Sequence, residues 1–285
     1  MAAMVLALFV PTIRRAQGLT PWKAGSLGGF ALLLAINIGV LCGMLTPHGI
    51  DGEATTGAST PLPSSDWAAY GGNAEGQRFG AQGQITPANV KNLAVAWTFH
   101  TGDTPISPGA GGAEDQETPL QVGDAVYLCT PHNTVIALDA ATGHERWRHA
   151  FPTDTKTWVR CRGLAYFDGT KPLVQPKAPG STPVTPVAVN PAAPCRRRIF
   201  MNTIDAVLVA LDADTGKLCE DFGDHGKVDL KAGLGDAKSP LYQLTSPPTL
   251  AGTTVVVGGR VADNVALDMP GGVVRGVDVI TGRMK

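Results

Sequence analysis

NTVIALDAATGHERW, residues Asn133–Trp147, runs from a β-branched segment through an Asp-Ala-Ala-Thr-Gly turn to a charged pair and a tryptophan. The pattern returns as AVLVALDADTGKLCEDF at Ala206–Phe222 and as VVRGVDVITGRMK at Val273–Lys285. An Asp-x-x-x-Gly frame holds at Asp139/Gly143, Asp212/Gly216 and Asp278/Gly282. Each copy predicts a hairpin. Alternating apolar residues (Val135 and Ala137; Val207 and Val209) suit a half-buried strand, and the turn supplies side-chain acceptors and a glycine tolerant of positive φ. Copies roughly 70 residues apart leave room for about four short strands and an insertion, the length of one propeller blade with a long loop. Gly and Pro between the copies leave no useful helical run, which argues against a helical repeat. The expected fold class is all-β.

Composition agrees with a turn-rich β protein: 35 Gly and 22 Pro against 6% aromatic residues. A net charge of −1 and the absence of a dense basic stripe argue against nucleic acid as a partner. Three blade-like units do not close a propeller, which needs at least about four, so the expectation is a partial ring. Lys285 also falls where the first copy continues through Glu145 and Arg146 to Trp147, inside a strand pair. The sequence reads as a fragment.

The N-terminal stretch is of another kind. Leu27–Leu45, LGGFALLLAINIGVLCGML, is an uncharged run of about 19 residues, long enough to span a bilayer as one helix. Ala2–Val10 is a shorter apolar run, read as the end of another helix, and Arg14, Arg15 and Lys23 lie between the two. The positive-inside bias then places everything after Leu45 on the exported side. A cleaved signal peptide is the alternative, disfavoured by the length of the apolar core. The domains expected are a membrane anchor at 1–47, a Gly/Ser/Thr/Pro linker at 48–65, and a propeller domain at 66–285, with Lys171–Pro194 as an exposed insertion.

Cys42 lies in the apolar run, which leaves Cys129, Cys161, Cys195 and Cys219 with three possible pairings, or none if they are small buried hydrophobes. An exported domain permits disulfides. No Cys-x-x-Cys or haem-attachment motif occurs, and Gly109–Gly112 lacks the setting of a phosphate loop. His132, His144, His149 and His225 sit in or near turns without ligand spacing and read as surface residues.

An ordered series of motifs carries the reading further: WAAYGGNAEGQRF, ITPANVKNLAVAW, DQETPLQVGDAVYLCTPH, CRGLAYF, LTSPPTLAGTTVVVGGRVADN and GVVRGVDVITG. In this order, from Asp66 to Lys285, the chain resembles the membrane-bound quinoprotein dehydrogenases that use pyrroloquinoline quinone (PQQ), in the branch acting on glucose, quinate and shikimate. The resemblance implies an eight-bladed propeller of four-stranded sheets with the cofactor on its axis, of which about three blades are present. It implies PQQ and Ca²⁺ or Mg²⁺ as cofactors, a sugar, polyol or cyclic acid as substrate, ubiquinone as acceptor, and a place in the bacterial inner membrane with the propeller in the periplasm. The chemistry implied is transfer of a hydride from an alcohol to the quinone, assisted by a metal and an aspartate base; that base belongs to later blades, so none is named here.

The resemblance also assigns positions. Arg162 matches an arginine that contacts the cofactor's carboxylates or quinone oxygens, for which a planar fork is suited. Asp263 and Asn264 match an Asp-Asn pair at the metal and cofactor, as two hard oxygen donors; a bare Asx turn is the alternative. Thr203 matches a threonine holding a cofactor carboxylate. Two departures stand out. The family commonly has glutamate three residues before the proline of Thr-Pro-Leu, where this chain has Gln116 with Glu117 one step on; a one-residue slip along a strand reverses the face, so only one of the two reaches the axis. Trp158 stands where glucose-oxidising relatives have a histidine stacked on the cofactor ring, which tilts substrate preference toward a polyol or a cyclic acid such as quinate. A non-catalytic propeller scaffold of the bacterial envelope shares the LDAxTG repeat but requires neither Arg162 nor Asp263-Asn264. A secreted, soluble quinoprotein alcohol dehydrogenase is disfavoured by Leu27–Leu45.

Overall fold

The computed structural model describes residues 34–35, 37–40, 42, 66–73, 76–80, 82–104, 113–171, 195–237, 240–262 and 264–285. The chain divides into two units, Met1–Ala58 and Ser59–Lys285. In the first, residues 34–35, 37–40 and 42 are helical and exposed. Among the described residues no helix is long and apolar enough to cross a membrane; most of Leu27–Leu45 lies outside them, as do the linker 48–65, Gly109–Gly112 and the insertion at 172–194.

The second unit is built from strands. β1 (Glu114–Thr118) leads into an antiparallel four-stranded sheet of β2 (Leu120–Val122), β3 (Ala125–Cys129), β4 (Thr134–Asp139) and β5 (Glu145–Ala150), in chain order. β6 (Arg160–Gly163) leads in the same way into β7 (Ala165–Asp168), β8 (Arg197–Asn202), β9 (Val207–Asp212) and β10 (Lys227–Asp229). β11 (Tyr242–Gln243) precedes a third sheet of β12 (Thr249–Ala251), β13 (Thr254–Gly258) and β15 (Val274–Asp278); β14 (Arg260–Val261) lies in the excursion between the last two and pairs with β11. Two four-stranded meanders and a third sheet of three strands agree with about three blades of a propeller.

The half-buried strands expected at the repeats are buried on both faces. Val135, Ile136, Ala137 and Leu138 are each 0% exposed, as are Leu208, Val209, Ala210 and Leu211. The reason is sheet stacking: side chains alternate across a strand, and each face meets a different neighbour. Val135 and Ala137 join Val209 and Leu211 in one core between the first and second sheets. Leu208 and Ala210 join Val255 and Val277 between the second and third. Ile136 and Leu138 face Trp97 and Phe99, which precede the first sheet.

The Asp-x-x-x-Gly frames are docking points as well as turns. Asp139, Asp212 and Asp278 each accept the amide N–H two and three residues on and the threonine hydroxyl of the turn. Gly143, Gly216 and Gly282 take φ of 72°, 68° and 70°. A Cβ on Gly216 would stand 2.5 Å from the ring of Trp147, whose Nε1 donates to the Ala213 carbonyl at 3.0 Å. Trp97 packs on Gly143 in the same way and donates to Ala140 O at 3.1 Å. Each tryptophan thus closes on the turn of the following sheet.

Alternating strand direction sorts the connections between two ends. The Asp-x-x-x-Gly turns lie at one end. β1, the turns Thr130–Asn133 and Thr203–Ala206, β6, β11 and the excursion after β13 lie at the other, and every described residue singled out above as a site candidate belongs to that second group.

Candidate functional site

β1 and β6 pair in parallel, with Glu114 opposite Arg160 and Asp115 opposite Cys161, and the register shifts before Thr118 meets Gly163. That pairing sets Arg162 beside Gln116. Arg162 Nε donates to Gln116 Oε1 at 2.8 Å, and Nη1 donates to the Thr245 hydroxyl at 2.7 Å. Gln116 is oriented in turn by donating its amide to Glu114 at 2.5 Å. Glu117 points the other way, and its carboxylate accepts the Cys129 N–H at 2.6 Å. Of the two acidic-motif positions, Gln116 therefore shares Arg162's side. Burial pushes the Glu117 carboxyl well above the usual carboxylate range, and Asp115 adds to this against the pull of the Cys129 amide.

A disulfide joins Cys129 to Cys161, the residue before Arg162, and a second joins Cys195 to Cys219. The first ties the end of β3 to β6 at the point where Glu117 meets Cys129, so three strands are fixed behind the guanidinium. Trp158 sits in the left-handed region at φ 62°. The guanidinium of Arg260 lies 4.6 Å from its ring centroid and that of Arg160 at 5.1 Å. Arg160 is neutralised by Glu114 at 2.8 Å. Arg260 donates to Gln243 Oε1 at 2.9 Å.

Thr203 is buried, and its hydroxyl accepts the Val207 N–H at 3.1 Å. Thr130 does the same for Thr134 at 3.3 Å in the first sheet, so this bond is a repeated turn device. Arg162 is held by Thr245, from the LTSPP run, a residue marked in the sequence only by its place in an ordered motif. Asn264 is exposed in a turn at φ 56°, two residues past Ala262, whose N–H bonds Leu241 O at 3.0 Å. Asp263 lies outside the described residues, among which no group of three or more His, Cys, Asp or Glu could hold a metal. His132 and His149, expected at the surface, are half-buried: His132 Nδ1 contacts Asp103 Oδ1, and His149 Nδ1 lies 2.8 Å from Gly216 O. Sheet stacking draws both rings into contacts between neighbouring segments.

This end of the sheets fits an anionic, planar ligand. Arg162 and Arg260 have only uncharged partners among the described residues. The buried Arg160 Nε and Asn202 Oδ1 have no protein partner among them either, and such atoms are normally satisfied by a ligand or water.

Comparison with known proteins places the chain among quinoproteins. The quinate/shikimate dehydrogenase (quinone) of Acinetobacter baylyi is 48% identical across 100% of this chain and 35% of its own length. The quinoprotein glucose dehydrogenase of Escherichia coli is 36% identical across 92% of this chain and 32% of its own. The chain thus spans about a third of the length of the curated relatives it matches. In fold it is similar to the quinohemoprotein alcohol dehydrogenase of Comamonas testosteroni (TM-score 0.56, 22% identity, 79% of this chain and 27% of that one). A europium-containing methanol dehydrogenase is likewise similar (TM-score 0.52, 25% identity, 77% and 31%). The family profile for the glucose/ethanol/alcohol dehydrogenase β-propeller domain matches residues 67–285, the stretch that holds the stacked sheets and the arginine-centred end. By repeat, fold and profile alike, the chain belongs to the PQQ family of glucose/ethanol/alcohol dehydrogenase β-propellers.

Proposed function

We propose that the protein is a membrane-bound quinoprotein dehydrogenase that oxidises a cyclic hydroxy acid, polyol or sugar and passes the electrons to ubiquinone. The observation that carries the reading is Arg162, a guanidinium held by the uncharged Gln116 and Thr245 and left without a carboxylate partner among the described residues. A planar cation in that state suits a planar polycarboxylate such as PQQ. When bound, PQQ supplies the two-electron acceptor for a hydride.

The chain's own residues hold and orient. Arg162 and Thr245 take a carboxylate or quinone oxygen, while Gln116 fixes the fork through Nε. Trp158 supplies an aromatic face, and Thr203 keeps its hydroxyl proton free to donate. Asp263 and Asn264 supply oxygen donors for Ca²⁺ or Mg²⁺. Glu117 serves the backbone at Cys129 and not the ligand. Leu27–Leu45 anchors the protein in the bacterial inner membrane with the propeller in the periplasm. Higher identity to the quinate/shikimate enzyme than to the glucose enzyme, 48% against 36%, favours a cyclic hydroxy acid as substrate.

The test uses membranes carrying the full-length protein, reconstituted with PQQ and Ca²⁺ or Mg²⁺. Reduction of a ubiquinone analogue is followed with quinate, shikimate, glucose and glycerol. The expected result is PQQ-dependent oxidation, strongest with quinate or shikimate. Arg162→Lys keeps the charge and loses the fork, so it should raise the PQQ needed by about tenfold with little change in metal demand. No PQQ-dependent oxidation of any of the four would overturn the proposal.

A further inference from the structure

Arg260 is not among the residues assigned to the ligand. Its guanidinium is nonetheless aimed: Trp158 covers it at 4.6 Å, and Gln243 Oε1 accepts from Nη1 at 2.9 Å. Gln243 is 0% exposed, and its own amide donates to Thr157 O at 2.9 Å, so the anchor does not turn freely. Both partners are uncharged. Arg160, over the same indole, is paired with Glu114, which shows that this end of the sheets neutralises a guanidinium where it needs only structure. Arg162 and Arg260 are left without such a partner among the described residues.

The anchors of these two arginines are Thr245 and Gln243, two residues apart on the segment that runs from β11 toward β12. That spacing returns side chains to one face of an extended chain, about 7 Å apart. Two partly buried cations held on anchors this close lose hydration and repel each other, an arrangement that is favourable once an anion bridges or caps them.

We infer that Arg260 is a second carboxylate-binding residue of the site, working beside Arg162. Its ligand is a carboxylate of the cofactor or of a cyclic hydroxy-acid substrate. The identity of those molecules rests on the dehydrogenase reading; the aimed, unneutralised fork does not.

The experiment uses the full-length protein with Arg260→Gln and Arg260→Lys. PQQ binding to the apo form is measured by quenching of indole fluorescence, which needs no turnover, and kcat and KM are measured with quinate and with its uncharged methyl ester. If the ligand is the cofactor, Arg260→Gln raises the PQQ Kd at least tenfold and leaves the ratio of quinate to ester unchanged. If it is the substrate, PQQ Kd stays within twofold, KM for quinate rises at least tenfold, and the ester is unaffected. In both cases Arg260→Lys recovers part of the loss, because charge is kept and the fork is not. Melting temperature of each apo variant separates these results from misfolding. All values within twofold of wild type in a folded Gln variant overturn the inference, as does a loss equal for PQQ, quinate and ester. Should wild type bind no PQQ, the dehydrogenase reading fails on its own; citrate then serves as the probe, and equal citrate-induced melting shifts in wild type and Arg260→Gln overturn the carboxylate site.

Discussion

Glu117 turns its carboxyl from Arg162 to the Cys129 amide, and burial there holds the proton on to higher pH than in the unfolded chain. The unfolded side chain ionises near about pH 4.3. Above that pH the folded state binds more protons than the unfolded one, so this group lowers stability as pH rises toward its folded value. Glu117→Gln keeps an acceptor for Cys129 and removes the titration. Its melting temperature should therefore exceed wild type at pH 7–8 and match it at pH 4; a gap that is the same at both pH values would show that Glu117 titrates alike in the folded and unfolded chain. Gly216 tests the docking of Trp147. Gly216→Ala meets both a positive φ and the indole at 2.5 Å, and should cost about 2–4 kcal/mol in denaturant unfolding. Gly233→Ala, at φ 76° with nothing within 4 Å of a Cβ, should cost about 1–2 kcal/mol. Equal costs would remove the tryptophan from the account.

At the scale of elements, the parallel pairing of β1 with β6 assembles Gln116 and Arg162, and the Cys129–Cys161 bond holds that pair against β3. The second disulfide, Cys195–Cys219, touches none of the site residues named above. The two close loops with separations of 32 and 24 residues, so loss of either should lower stability by a similar amount, about 3.5 kcal/mol in the chain-entropy account. They should differ in the ligand. Cys129→Ser with Cys161→Ser frees the strand that aims Arg162 and should weaken PQQ binding several-fold in the full-length protein, while Cys195→Ser with Cys219→Ser should leave it unchanged. Fluorescence titration of both apo variants, with melting curves alongside, checks this; equal PQQ affinity in the two would confine the first disulfide to stability.

For the whole molecule, the segment that packs Trp97 on the outer face of the first sheet leaves Leu93 and Val95 exposed at 62% and 83%, with Ile85, Val90 and Phe79 nearby in sequence. Propellers protect such edges by closing the ring. Residues 66–285 expressed alone should therefore associate with rising concentration in sedimentation velocity, and Val95→Lys should weaken that association. A monodisperse monomer that melts cooperatively would contradict an open arc of three sheets.

Hairpins are decided by residues a few positions apart, and for that reason NTVIALDAATGHERW and its two copies were legible as strand, turn and strand without any tertiary information. The same locality made the Asp139, Asp212 and Asp278 turns readable, and the ordered motifs pointed to Arg162 and to the family. Contacts between distant segments were not legible. Which of Gln116 and Glu117 faces Arg162 depends on how β1 pairs with β6, some 46 residues away in sequence. The choice among three cysteine pairings depends on where β3 ends beside that pair. The hydroxyl of Thr203 repeats the turn bond of Thr130, and Thr245 reaches the arginine from the segment between β11 and β12, 83 residues away in sequence. Burial of β4 and β9 on both faces likewise follows from neighbouring sheets, which no alternation within a strand records. The repeat and its turns were determined by the sequence alone; the aiming of Arg162 and Arg260 was decided only by the tertiary structure, because each fork is held by partners that folding brings from distant segments.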